Sequence, residues 1–264
     1  MVEIEQNPDY EQRRRIMDMT MAAGKLLLEN GAEVFRVEQT MTIMARSYHL
    51  REFDVYVLTN GIFASAGTAE ISEVRNVPNR TVHLGRVAAV NALSREIAAG
   101  TVPLAEAEAR LAAIQCMPVA SNRAQVLASA VVSACFAILF GGSVVDSLIA
   151  LAAGAVLGAF LIACNRRSVY GMMQRMAGAA LLTVICLLVS AAAAGAQPSY
   201  SIIGTLMVLT PGVAFTMGIR DFVKGDYLSG TIRMIDALLV AASIACGTGL
   251  VMMVYEWLMG GAAL

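Results

Sequence analysis

Side chains able to do chemistry are few in this 264-residue chain, and they fall in blocks. The two histidines, His49 and His83, have no carboxylate or cysteine at metal-ligand spacing. No GxSxG elbow, phosphate-cradling P-loop or GxGxxG turn occurs, so no catalytic residue, metal or cofactor is assigned. An early block runs Glu29-Asn30-Gly31-Ala32-Glu33 with Arg36 and Glu38. Glu33 and Arg36 are three apart and can pair along a helix face. The block reads either as a solvated helix–turn–helix corner or as a binding surface. A late block holds Thr210-Pro211-Gly212, Arg220-Asp221, Lys224-Gly225-Asp226, Ser229-Gly230, Arg233 and Asp236. Asp146 stands alone after Gly141-Gly142, placed to cap a helix or to line an outer vestibule.

What these blocks can do depends on the elements around them. The chain is 58% hydrophobic and 15% charged, against about 25% charged in average soluble domains. A net charge of −1 leaves no electrostatic footprint for nucleic acid. Residues 1–118 carry 27 of the 39 charged side chains, and residues 119–264 only 12. The first part therefore reads as water-soluble and the second as membrane-spanning.

Five charge-poor stretches after residue 118, at about 124–142, 147–165, 176–196, 200–219 and 237–256, are each long enough to cross roughly 30 Å of hydrocarbon. Arg123, then Arg166, Arg167 and Arg175, then Arg220, Lys224 and Arg233 all fall in alternate loops. The positive-inside rule places those loops in the cytoplasm, with the N-terminal part cytosolic and the C-terminus outside. Ile16–Leu28 is broken by Asp18 and Lys25 and does not read as a signal peptide. The five cysteines form no CxxC pair and are expected to be reduced packing residues.

Ionisable groups near membrane depth are expensive and mark substrate or ion pathways. Thr210-Pro211-Gly212 falls near the centre of the fourth stretch, where proline removes a backbone donor. A helix broken there exposes backbone groups to a substrate, and a simple proline kink is the competing reading. Gly154 and Gly158 form a GxxxG spacing compatible with close helix contact. An odd number of crossings means that a second, similar unit fused to this one would be inverted, so a separate partner subunit is expected.

The first 118 residues predict helices over Tyr10–Asn30, with Gly31 as the stop, and over Ala32–His49, with an apolar stripe at Val34, Val37, Met41, Met44 and Tyr48. Phe53, Val55 and Val57 alternate, and Asn60-Gly61 before Ile62 signals a hairpin whose two turn residues take positive φ. A third strand is expected within Glu70–Val77, then helices over Leu84–Ala99 and Pro103–Gln115.

Leu26-Leu27-Leu28-Glu29-Asn30-Gly31-Ala32-Glu33, with Arg36-Val37-Glu38 and Thr40, resembles the opening signature of the threonine/serine exporter family. Thr59-Asn60-Gly61-Ile62, Asn91-Ala92-Leu93-Ser94-Arg95, Gly141-Gly142 with Asp146, and the late block from Pro211-Gly212 to Arg233 are similar too. The resemblance implies secondary export of small metabolites, threonine and serine or a dicarboxylate such as succinate, driven by the proton gradient across a bacterial inner membrane. It implies the longer, YjjP-type subunit of a split exporter, working with a short YjjB-type five-helix membrane subunit in an oligomer. It also moves Glu29, Asn30, Glu33, Arg36, Glu38 and Thr59 toward a role in a cytosolic domain that binds or gates substrate.

The expected fold class is thus an α-helical membrane protein: a small cytosolic α+β domain over 1–118 and a five-helix transmembrane bundle over 119–264, N-terminus in and C-terminus out. In the transport reading, Thr210, Pro211 and Gly212 meet the substrate. Asp221, Asp226 or Asp236 exchanges protons or pairs with Arg220, Lys224 and Arg233. A membrane-anchored hydrolase is the alternative, but its candidate nucleophiles, such as Ser65 or Thr59, have no histidine in evident reach.

Overall fold

The computed structural model describes residues 8–67, 71–78 and 81–259. Two compact units divide the chain: residues up to Val119 with Met217–Ile232, and Ala120–Thr216 with the residues from Arg233 onward.

In the first unit, α1 (Pro8–Glu29) and α2 (Val34–Ser47) pack together. Between them lies a Schellman stop. Gly31, at φ 90°, donates to Leu28 O, and Ala32 N donates to Leu27 O at 3.0 Å. Buried Ala32 and Leu27 supply the apolar contact that accompanies this motif. The predicted stripe of α2 is core at Val34, Val37, Met41 and Met44.

Three antiparallel strands follow in the order β1 (Asp54–Leu58), β2 (Gly61–Ala66) and β3 (Ile71–Asn76). The hairpin forms, but its turn differs from the Asn-Gly expectation. Leu58 pairs with Gly61, so the loop is Thr59–Asn60, and neither Asn60 nor Gly61 takes a positive φ. Gly61 is held in the central strand because it also pairs with Asn76, while Asn60 O accepts Val77 N–H at 2.8 Å. Glu70, the first residue of the expected third strand, lies outside the described residues. Helices α3 (Leu84–Ala98) and α4 (Leu104–Gln115) close the unit's first stretch, with Pro103 as the N-cap of α4. The core joins α1 to the sheet and to α3 and α4 through Met17, Met21, Leu27, Met41, Ile62, Leu93 and Ile97.

The chain continues with α5 (Asn122–Leu139), α6 (Val144–Arg166), α7 (Gly171–Ala192), α8 (Pro198–Leu206), α9 (Gly212–Val223) and α10 (Tyr227–Leu258). Four of these, α5, α6, α7 and α10, are long and apolar enough to cross a membrane. The expected fourth crossing is not among them. The stretch 200–219 is not one helix but two short ones, α8 and α9, separated at 207–211. Pro211 has no N–H to give to a preceding carbonyl, and its ring disfavours helical φ/ψ at Thr210. Accordingly, just past the end of α8 the chain tightens into i→i−3 bonds, Val208 N to Thr205 O and Leu209 N to Leu206 O. The last helix begins ten residues earlier than expected, at Tyr227, and so carries Arg233 and Asp236.

Within the second unit, α6 packs on α5, α7 and α8. The GxxxG pair brings α6 close to α5. A Cβ on Gly154 would lie 2.7 Å from Ser129 O, and one on Gly158 would lie 3.2 Å from Val126 Cα. Neighbouring backbone cannot retreat as a side-chain end can. Gly154→Ala is therefore expected to cost about 1–3 kcal/mol through overpacking, measured as a lower thermal midpoint of the full chain in detergent. Unchanged stability would mean that α5 and α6 do not touch at this glycine.

Candidate functional site

In the first unit, the early and late sequence blocks meet. Glu33 is the N-cap of α2 with extended backbone (φ −71°, ψ 140°), and its side chain makes no cap hydrogen bond. That carboxylate accepts from Arg220 Nη1 at 2.5 Å and Lys224 Nζ at 3.4 Å. It does not pair with Arg36 as spacing suggested; its two oxygens are taken by Arg220 and Lys224 instead. Lys224 Nζ also lies 4.3 Å from the centre of the Phe35 ring, a cation–π contact.

Arg220 and Lys224 are presented by a second Schellman stop. Gly225, at φ 84°, donates to Phe222 O, and Asp226 N donates to Asp221 O at 3.0 Å. Asp226 then caps α10, its Oδ1 accepting Ser229 N–H at 3.2 Å. One glycine and one aspartate thus end α9 and start α10. Asp221 is buried at 4% exposure, Arg233 is buried at 8%, and Asp236 is exposed.

Glu38, one turn beyond Glu33's end of α2, accepts Val57 N–H at 2.9 Å. Burial raises its carboxyl above the ordinary range; the Val57 bond opposes the shift, and the nearby Asp226 charge adds to it. A carboxyl raised in the folded state binds more protons folded than unfolded, so its contribution falls as pH climbs from the ordinary carboxylate value through the raised one. Glu38→Gln keeps an acceptor for Val57 and removes the charge. We expect slower amide exchange of β1 in the variant than in the parent at neutral pH, with the difference vanishing below the ordinary carboxylate range. A difference that persists in acid would contradict this.

Asn30 is buried and structural: Nδ2 donates to Leu26 O at 2.7 Å, Oδ1 accepts from Arg86 at 3.4 Å, and its carbonyl accepts His83 N–H. Glu29 pairs with Lys25 at 3.7 Å, and Thr59 is fully buried. His83 caps α3, its Nδ1 accepting Arg86 N–H at 3.1 Å while Nε2 donates to Pro118 O at 3.1 Å. Both ring nitrogens are thereby occupied, which leaves the hydrolase alternative without His83 as a base. Glu33 and Arg36 do line a common open cavity of about 550 Å³ between α2 and α3, together with Thr40, Asn91, Ser94 and Arg95.

In the second unit, Asp146 is 1% exposed. Its Oδ2 accepts from Ser143 N and Ser143 Oγ, both at 2.8 Å, and its Oδ1 accepts from Gln197 N at 2.7 Å. Ser143 Oγ meets Asp146 N in return, completing a capping box at the start of α6. The carboxylate therefore ties the start of α6 to the residue before α8. Thr210-Pro211-Gly212 lies past the other end of α8, about 13 Å away at 1.5 Å per residue, so Asp146 shares no site with it. Thr210 and Gly212 are exposed, and Thr210 Oγ1 donates to Leu206 O at 3.0 Å.

The broken stretch opens onto a cavity. Met207, Val208 and Leu209 line an open space of about 650 Å³ with residues of α5, α6 and α7. Arg175, which sequence reasoning used only to orient helices, is on its wall. The one local signal for it was a cation in the first turns of an otherwise apolar helix.

A compact α+β unit followed by long apolar helices, one apolar stretch being interrupted, defines a multi-pass membrane protein. Residues 18–255 match the model of the ThrE family, described as "Putative threonine/serine exporter". A protein of Mycobacterium tuberculosis (strain ATCC 25618 / H37Rv) named "Probable threonine/serine exporter" is 25% identical over 239 residues, 89% of this chain and 45% of that protein. No solved structure matches. The chain belongs to the threonine/serine exporter family, and it spans less than half the length of this relative.

Proposed function

We propose that the chain is one subunit of a secondary-active, proton-coupled exporter of small metabolites, either threonine and serine or a dicarboxylate such as succinate. It works with a separate short five-helix membrane subunit in the bacterial inner membrane. Residues 1–118 form a cytosolic domain, and α8 and α9, with the break between them, make the fifth crossing. The observation that carries this reading is the interruption at 207–211, where an apolar stretch leaves helical geometry beside a cavity. Irregular backbone at membrane depth is tolerated where it lines a cavity, and transporters use it to meet substrate. A carboxylate buried to 4% exposure, Asp221, supplies a group for proton exchange on the adjoining α9.

Flux of labelled threonine, serine and succinate from proteoliposomes, with and without the partner subunit, tests this. Efflux is expected only with both subunits and a proton gradient, and is expected to fall at least tenfold in Asp221→Asn and in Pro211→Ala with assembly intact. Undiminished efflux in both variants would remove these residues from the transport path. Flux of none of the three compounds through the assembled pair would sink the exporter reading.

A further inference from the structure

Arg175 stands in the second turn of α7, half-buried, and spends one bond on the chain: Nη1 donates to Leu209 O at 3.0 Å. A guanidinium carries five N–H donors. Among the described residues, those lining its cavity include no aspartate or glutamate. It does contain Ser129, 8% exposed, whose buried hydroxyl has no hydrogen-bond partner. Gln174 beside it donates to Leu161 O at 3.1 Å, and Asn165 and Gln125 add further amides to the wall. A cation in an apolar helix with no counter-charge is costly, and an unsatisfied buried hydroxyl adds to the cost. Both costs are relieved together by an anionic ligand that also carries hydrogen-bonding groups.

We infer that this cavity is a carboxylate subsite, in which Arg175 holds the carboxylate of a small metabolite and Ser129 bonds a polar group next to it. The planar guanidinium matches the two oxygens of a carboxylate, a match a lysine cannot reproduce. Its volume of about 650 Å³ lies within the usual range of small-molecule pockets. A lipid phosphate is the other anion available at a membrane surface. Gln125, Ser129, Asn165 and Gln174 give this cavity polar groups for a metabolite's other substituents, whereas the adjoining groove framed by Arg123, Arg166 and Arg167 with Val126, Leu127 and Ile162 is more aliphatic and suits a lipid better. Since Arg175 also holds Leu209 O, a bound carboxylate bears directly on the interrupted backbone. The assignment rests on the exporter reading and names the residues that hold the carboxylate its candidate substrates share.

Equilibrium binding to the purified full chain in detergent with zwitterionic lipid tests it, using L-threonine, succinate and threoninol, in which a hydroxymethyl replaces the carboxylate. At least one carboxylate probe is expected to bind, with threoninol at least tenfold weaker than threonine if threonine is that probe. Arg175→Gln is expected to weaken binding about 100-fold, Arg175→Lys about tenfold, and Ser129→Ala several-fold. Four results would overturn the assignment: equal binding of threonine and threoninol, full affinity in Arg175→Gln, no binding of either carboxylate, or displacement of the probe by phosphatidylglycerol but not by excess carboxylate. The comparison of probes on the parent chain needs no variant to fold. Flux lost while carboxylate binding persists would count against the exporter reading and leave the subsite standing.

Discussion

Asp146→Ala is expected to be the most destabilising single substitution in the second unit. The carboxylate accepts three hydrogen bonds while 1% exposed, two from backbone amides of Ser143 and Gln197 that lie 54 residues apart in the chain. Alanine leaves both amides without that acceptor. Bonds to a charged acceptor contribute about 1.5–3 kcal/mol each, and a buried donor left unpaired costs about 1–3 kcal/mol. Because the bonds share one carboxylate they do not add fully, and a loss of about 3–5 kcal/mol is expected, read as a lower thermal midpoint in detergent. Asp146→Asn is intermediate, since one of its two terminal atoms becomes a donor facing donors. Ser143→Ala loses a cap at about 1 kcal/mol. Should Asp146→Ala melt with the parent, the link between α6 and α8 would not be holding the unit together.

Glu33→Arg is expected to have the largest effect in the first unit, for a different reason. Single ion pairs this exposed contribute little, about 0–1 kcal/mol each, so Glu33→Gln alone is mild. Glu33, however, is the carboxylate shared by Arg220 and Lys224. Arginine in its place puts a third positive charge beside those two, with Arg36 close by in the chain, and like charges repel. Amide exchange across 217–226 is expected to accelerate at least tenfold, and efflux in the reconstituted exporter to fall with it. The reciprocal pair Glu33→Arg with Arg220→Glu restores part of the protection. Unchanged exchange in Glu33→Arg would show that the segment is held by the remaining packing alone.

Local features were the legible ones. Gly31 after Asn30 announced the stop of α1 because a left-handed residue without a Cβ closes the helix at little cost. The stripe of α2 and the existence of a hairpin followed from periods of 3.6 and 2. The turn register did not, because Gly61 is claimed by strands on both sides, and the second partner, Asn76, is 15 residues away. Pro211 marked the break in the fourth stretch, but a kink and a full interruption require the same residue. Only the way the chain tightens just past α8 separates them.

Composition and charge spacing by themselves determined that this chain has a polar first part and long apolar helices after it, since burial of apolar side chains acts on each segment through its own residues. What only the tertiary structure decided is which distant charges meet. Glu33 faces Arg220 and Lys224 across more than 180 positions, Asp146 reaches Gln197, and Arg175 stands on a cavity wall whose described residues include no acid. Nothing in the local sequence sets these partnerships, because an ion pair or hydrogen bond forms within about 3 Å in space, and that proximity is a product of the packing of whole helices.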